Sequence, residues 1–312
     1  MKTESFLPVP LKKILDSDIN RFSLHRDLSD PLPAELLSSI DRFGLFHPPV
    51  VLIEQPGKYQ LLCGRRRILA LQEIGRDQTV LCRVVEIDDS AEMLMTVLED
   101  QRLSGPLSAI MTARFLRLVE SQIPVNSRHT FIAQMNIGSY GQLQRQAVFL
   151  KLEQPIRDAI HKGMISDKIG LHLCSLTSQD RLFLCNLFMA LSLNNNKQKR
   201  LLDMCQILLA RTGRTVEELF QQDFHDFLPR TTTTNKPQSA GNLMKLLHEA
   251  SHPMSTSAEK IFNDRRKELR LPTSCRLSHS QSFEKDSVTL SIDFSNFDAL
   301  KKVWSRIKNN FE

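Results

Sequence analysis

The chain has 312 residues, 41% hydrophobic and 24% charged, which excludes general disorder and a pure coiled coil and is long enough for two or three domains of roughly 100–150 residues. No stretch approaches the roughly 18–20 apolar residues of a membrane span, and the segment from Met1 to Pro10 has no apolar signal core, so no membrane partner is expected and the location expected is the cytoplasm. The net charge of +6 is uneven: residues 1–120 carry 15 Lys/Arg against 17 Asp/Glu, residues 121–254 carry 15 against 10, and residues 255–312 carry 11 against 8. A basic middle and end favour a polyanionic partner, because each phosphate contact releases a counterion.

In chain order, VPLKKIL reads as an extended start, Ala34 to Phe43 as an amphipathic helix, and PPVVLIE and YQLLCG as strands. RRILALQEIG follows as a helix ended by Gly75, and TVLCRVVEI as a strand. Together they predict a compact α+β unit over residues 1–103. From Ser90 helical patterns dominate, punctuated by Pro106, Pro124, Gly138, Pro155 and Gly163, which predicts an all-α unit of short helices over 104–228. The run PRTTTTNKPQSAG (Pro229 to Gly241) lacks apolar periodicity and predicts a flexible linker, placed over 229–255. The remainder, 256–312, reads as a helix near Ser257 to Leu269, a loop, a strand with alternating Val288, Leu290, Ile292 and Phe294, and a last helix from about Asn296 to Lys308. So small a βα unit is marginal alone, and pairing with a second copy is its simplest stabilisation, giving an expected homodimer.

Six cysteines, Cys63, Cys82, Cys174, Cys185, Cys205 and Cys275, show no CxxC or Cys/His ligand spacing and read as reduced, partly buried thiols. Gly64, Arg65, Arg66 and Arg67 stand between a strand and the helix that follows. Unpaired N–H groups at a helix start, a permissive glycine and guanidinium donors suit a phosphate chain; the pattern equally fits three solvated arginines. Glu99, Asp100 and Arg102 lie at the end of a helix, where the carboxylates offer oxygen ligands to a divalent cation, although adjacent acids more often face water. Arg128 to Met135 and Ser139 to Leu152, joined through Gly138, form a helix-turn-helix candidate. Its second helix would offer Ser139, Tyr140, Gln142, Gln144 and Arg145 to a major groove, with Ile132, Leu143, Ala147 and Leu150 as packing face.

The succession VPLKKI, GLFHPPVVL, CGRRRILAL and LEDQRL resembles the N-terminal domain of the ParB family of chromosome and plasmid partition proteins. In the same order that family shows an IP-x-x-x-I start, a G-hydrophobic-x-Q-P stretch, GERR and EN-x-QR. The segment FIAQMNIGSYGQLQRQAVFLKLEQPIRDAIHKGMIS is similar to the family's helix-turn-helix region, and VTLSIDFSNFDALKKVWSRI to its dimerising strand and helix. The fold implied is a ParB/sulfiredoxin-like α+β domain, an all-α helix-turn-helix domain and a small βα dimerisation domain. The resemblance implies CTP with Mg2+ as cofactors, slow CTP hydrolysis resetting a clamp, double-stranded DNA as partner and a nucleoid-associated location. By position, Gly64, Arg65, Arg66 and Arg67 would meet the triphosphate and Gly44 and His47 would border the base. Arg102 would serve the phosphates, and Glu99 and Asp100 would hold the metal and act in catalysis. Three residues depart from the family: Arg65 stands where Glu is usual, His47 where Gln is usual, and Asp100 where Asn is usual. Arg65 reverses a charge inside the phosphate motif, which bears most on hydrolysis. A ParA-type ATPase is the further partner the family implies; here VPLKKI begins by Val9, leaving little of the leader through which such an ATPase docks. In the related sulfiredoxins the catalytic cysteine follows the glycine, where this chain has Arg65; Cys63 precedes it and is expected to point off the strand's end. Three readings follow: a partition-type DNA-binding dimer, a metal-dependent ParB-like nuclease using Glu99 and Asp100, and a ParB-like transcriptional regulator without nucleotide turnover.

Overall fold

The structure, a computed structural model, describes residues 5–29, 31–75, 79–227, 235–280 and 287–308. Strand β1 (Ser5–Pro10) passes directly into the single turn of α1 (Leu11–Leu15). The extended start therefore closes at Pro10, because Leu11 and Ile14 gain burial by turning back onto the sheet. Then come α2 (Ala34–Phe43), β2 (Val50–Gln55), β3 (Lys58–Cys63), α3 (Arg65–Ile74) and β4 (Thr79–Val85). The sheet order is β1-β4-β2-β3. β4 runs antiparallel to β1 and parallel to β2, with Val51 beside Val84, and β2 and β3 form an antiparallel hairpin with register shifts at Val50/Val51 and Ile53/Gln55.

The continuous apolar run VVLI follows from burial of both sheet faces. Val51, Leu61 and Val84 point to one side and pack with Ile14, Ile40, Ile68 and Leu71 of α1, α2 and α3. Their neighbours Val50, Leu52, Leu62 and Val85 point to the other side, into a core shared with α4 (Ser90–Ser104) and α5 (Ala109–Gln122). That second core continues without a break into the helical unit, so the boundary expected at 103/104 falls in the last turn of α4, whose buried residues share one hydrophobic cluster with α5. Asp89 caps α4 by accepting from the Ala91 amide, and Ser108 caps α5 by accepting from that of Met111. α5 buries residues on nearly every side, from Ile110 to Val119, because helices surround it.

The helical unit continues through α6 (Arg128–Met135), α7 (Tyr140–Ala147), α8 (Gln154–His161), α9 (Asp167–Cys174), α10 (Ser178–Ala190), α11 (Asn195–Thr212) and α12 (Val216–Asp223). The second helix of the helix-turn-helix, expected to run to Leu152, leaves α-helical geometry at Ala147 and tightens into a 3-10 turn over Val148–Lys151. A flexible linker was expected over 229–255. Residues 229–234 lie outside the described residues, and Lys236–Ser251 is helix α13. Pro237 sits in its first turn, where a missing N–H costs nothing, and Ala240, Leu243, Met244 and Leu247 form a buried stripe; Arg211 of α11 bonds the Ala250 carbonyl. α14 (Pro253–Glu268) has no buried residue. The tail's strand is β6 (Val288–Ile292), paired antiparallel with β5 (Cys275–His279), which the sequence pattern placed in a loop, and α15 (Phe297–Lys308) follows. No helix among the described residues is long and apolar enough to cross a membrane.

Candidate functional site

β3 ends at Gly64, whose backbone turns left-handed (φ 98°) and whose carbonyl accepts from the Arg67 and Ile68 amides to start α3. A Cβ at Gly64 would lie 3.1 Å from Pro49 Cα and Cβ, so both the φ and the close approach call for glycine here. The three arginines then fan out. Arg65 Nε donates to Asn20 Oδ1 at 2.6 Å; Arg67 Nη1 donates to the carbonyls of His47 (2.6 Å) and Pro48 (3.2 Å), and its Nη2 lies 3.5 Å from Asp100 Oδ1.

These groups line a cavity of about 750 Å³ between the open end of the sheet, the loop after α1, the last turns of α4 and the start of α5. His47, Gly64, Arg65, Arg66, Arg67 and Asp100 all reach it, together with Arg83, Gln101, His25 and His161. Four arginines and one carboxylate among its lining residues give the cavity an excess of positive charge, which favours an anion.

The expected set does not all converge. Val97, Asp100, Gln101 and Ser104 share the cavity face of α4, as their i, i+3, i+4, i+7 spacing requires. Glu99 and Arg102 lie on another face, joined to each other at 2.6 Å, and Arg102 also donates to the Met135 carbonyl at the end of α6. Glu99 and Asp100 therefore diverge, each beside a different arginine, instead of making a shared carboxylate pair. Among the described residues no group of three or more His, Cys, Asp or Glu is placed to hold a metal. Gly44 caps the end of α2 with φ 72° and lies outside the cavity lining.

Cys63 does not point off the strand's end. It is buried beneath α4, with Sγ 3.9 Å from the Thr96 carbonyl, and burial, followed by the Asp100 charge, pushes its thiol far above the ordinary range. Such a thiol is inert. Burial likewise pushes Cys82 and Cys185 up to about 11 and Cys205 to about 12, and none of the six cysteines is in a disulfide.

Sequence reading missed His25, Arg83 and His161, and gave Gln101, which stands between Asp100 and Arg102, no role of its own. The i+4 phase of α4 could have signalled Gln101. The two histidines lie far apart in sequence and no local pattern joins them; in the fold their rings meet edge to face at 5.6 Å. His25 Nε2 is 3.2 Å from Gln101 Oε1, and His161 Nδ1 is 2.8 Å from the Oγ of Ser108. The loop carrying His25 is strapped to α8: Arg157 Nε donates to the Asp27 carbonyl and the Ser29 amide to Asp158 Oδ1, each at 2.8 Å. One wall of the cavity thus belongs to the helical unit.

On that unit, α6 ends at Asn136 in the left-handed region (φ 51°), Gly138 turns the chain at φ 119°, and Ser139 caps α7 by accepting from the Gln142 amide at 3.2 Å. Leu143 and Ala147 are buried, as is Ile132 of α6. Gln142, Gln144 and Arg145 are exposed, and the half-buried Tyr140 rests its ring 4.3 Å from that of His129. This is helix-turn-helix geometry with polar donors and acceptors on the free side of the second helix.

Residues 7–101 match the family model of the ParB N-terminal domain, and the α+β architecture with a helical unit behind it is the one the ParB resemblance implies. Among curated relatives, the chain is 25% identical over 175 residues to the nucleoid occlusion protein of Halalkalibacterium halodurans, covering 56% of this chain and 59% of that protein. It is 27% identical over 168 residues to that of Bacillus subtilis, covering 53% and 56%. The chain thus spans under two thirds of the length of these relatives. Similar solved structures include Caulobacter crescentus ParB complexed with CTP-γ-S (18% identity, TM-score 0.26, 56% of this chain and 94% of that one) and complexed with the centromeric parS site (18%, 0.34, 62% and 96%). A Pnob8-like ParB-N domain aligns at 11% identity and TM-score 0.39 over 86% and 98%.

Proposed function

We propose that this chain is a nucleoid-associated, DNA-binding protein of the ParB type whose N-terminal cavity takes a nucleoside triphosphate, CTP by family likeness, and whose helix α7 reads double-stranded DNA in partition or nucleoid occlusion. One observation carries the reading: the Gly64–Arg67 helix start forms a wall of a cationic cavity whose opposite wall comes from the unit bearing the helix-turn-helix. A ligand there touches both units.

The residues fit a triphosphate. Arg66, Arg67 and the amides that open α3 would hold it, and Asp100 would share a Mg2+ with phosphate oxygens, as that ion commonly uses one or two carboxylates with phosphates and water. The bound triphosphate would supply negative charge to which the arginines and α3 respond. Gly44, Glu99 and Arg102 have no direct place in this site. The divergence of Glu99 from Asp100 leaves the nuclease reading without support. Ser139, Tyr140, Gln142, Gln144 and Arg145 would contact DNA, and the β6–α15 tail would join two copies.

Calorimetric titration of CTP, GTP and ATP with Mg2+ into the full chain tests the nucleotide part. The expected outcome is binding selective for CTP and at least tenfold weaker in Arg66→Ala, about the loss of one charge-assisted hydrogen bond. Folded protein that takes up none of the three would overturn it and leave a ParB-type regulator that binds DNA without nucleotide.

A further inference from the structure

The positive charge of the helical unit is not concentrated on α7. Part of it stands on the opening turns of α9 and α11, and a chain of hydrogen bonds stages those turns beside α7. Gln146 of α7 donates from Nε2 to Asp167 Oδ2 at the start of α9, at 2.7 Å. The Ser166 amide, which precedes α9, donates to Asn195 Oδ1 at the start of α11, at 3.1 Å. Gln198, wholly buried in the first turn of α11, fastens that turn by donating to the Met164 carbonyl at 2.8 Å and the Leu193 carbonyl at 2.7 Å.

Lys168, Lys199 and Arg200 are exposed on these turns, and among the described residues none of them is in an ion pair. Arg102, Arg117, Arg181 and Arg214 all have carboxylate partners. Two acids lie near them, Asp167, which accepts from Gln146, and Asp203, one turn further along α11; among the described residues neither is in an ion pair with Lys168, Lys199 or Arg200. The first turn of α11 contains no acid. Exposed cations without carboxylate partners favour a polyanion laid across them, which releases counterions as it binds.

We infer that Lys168, Lys199 and Arg200 form a second, sequence-independent contact to DNA phosphates, continuous with α7 through Gln146 and Asp167. The inference rests on the reading of α7 as the DNA-recognition helix. In this division α7 specifies, while the strip on α9 and α11 holds the backbone flanking the groove and fixes the register.

The test is the salt dependence of binding to a mixed-sequence DNA duplex, measured by fluorescence anisotropy with the full chain. Each phosphate contact contributes about 0.9 to the slope of log K against log salt, so the triple variant Lys168→Gln, Lys199→Gln, Arg200→Gln should lower the slope by about 2–3 and weaken low-salt binding at least tenfold. Lys168→Gln alone should lower it by about 1, and Lys168→Arg with Lys199→Arg should keep it. A control with the same charge loss on the far side of the N-terminal domain, Lys12→Gln, Lys13→Gln, Lys58→Gln, should keep the parent slope. An unchanged slope in the folded triple and single variants, or an equal fall in the control, overturns the strip and leaves the α7 reading standing. Parent protein that holds no duplex at any salt overturns the α7 reading itself.

Discussion

Glu153, just before α8, is held by both oxygens: Arg181 Nε and Nη2 each donate at 2.7 Å, and Ser178 Oγ donates as well. The Arg181 hydrogen bonds are the largest influence on its carboxyl and, outweighing burial, hold it down at about 2. A carboxyl whose folded pKa lies below its unfolded value stabilises the fold fully above the ordinary glutamate range, and that contribution fades as pH falls through about 4.5 toward 2. Arg181→Met leaves Glu153 without its bidentate partner and is expected to cost about 1–3 kcal/mol at neutral pH. Urea unfolding at pH 7 and pH 3 checks it: the gap between parent and variant should narrow at pH 3, and a gap independent of pH would show that Glu153 is not the source. The same pair shows a limit of residue-scale reading, because Glu153 and Arg181 meet only when α8 and α10 pack. Adjacent Glu99 and Asp100 read as a pair and part in the fold, since neighbours on a helix stand about 100° apart.

Elements with their own punctuation were legible. The helix-turn-helix carries its signals locally: Asn136 and Gly138 for the left-handed turn, Ser139 for the cap, and Leu143 and Ala147 for the buried face. Strand-Gly64-helix is equally self-declaring, so most of the arginine-bearing wall of the cavity was readable. The opposite wall was not, because His25 and His161 are brought together by Arg157 and Asp158 gripping a distant loop. α13 was hidden for another reason: its first six residues are KPQSAG, and composition there masks the stripe Ala240, Leu243, Met244 and Leu247 that begins inside it. β5 was missed because a short strand in a two-stranded sheet shows little beyond alternation. The α13 stripe makes a prediction at this scale. Leu243→Ala and Leu247→Ala, both wholly buried, should each destabilise the protein by about 2–4 kcal/mol in chemical unfolding. Losses near zero would mean that α13 does not belong to the core of α11.

At the scale of the whole molecule the tail, among the described residues, carries a cluster of exposed apolar side chains on a small unit with no buried core residue of its own. β6 exposes Val288, Leu290 and Ile292, and α15 exposes Phe297 at 76%, Val303 at 41% and Trp304 at 53%. A two-stranded ribbon with one helix is too small to be stable alone, while a two-fold pairing covers the same patch on both copies at once. This is the basis of the proposed homodimer, and the symmetry would also place two copies of α7 on related half-sites. Trp304 would be the aromatic anchor of such an interface. Trp304→Ala is expected to weaken self-association by about 2–4 kcal/mol, roughly 30-fold to 1000-fold in the dimer dissociation constant. Sedimentation equilibrium reads this directly, and the main thermal unfolding transition should stay in place, because no core residue of the N-terminal and helical units lies in the tail. If Trp304→Ala sediments as the parent does, the copies are not joined through α15; if the parent is monomeric at every concentration, the exposed tail does not self-associate, and any two-fold DNA site must be met by separate molecules.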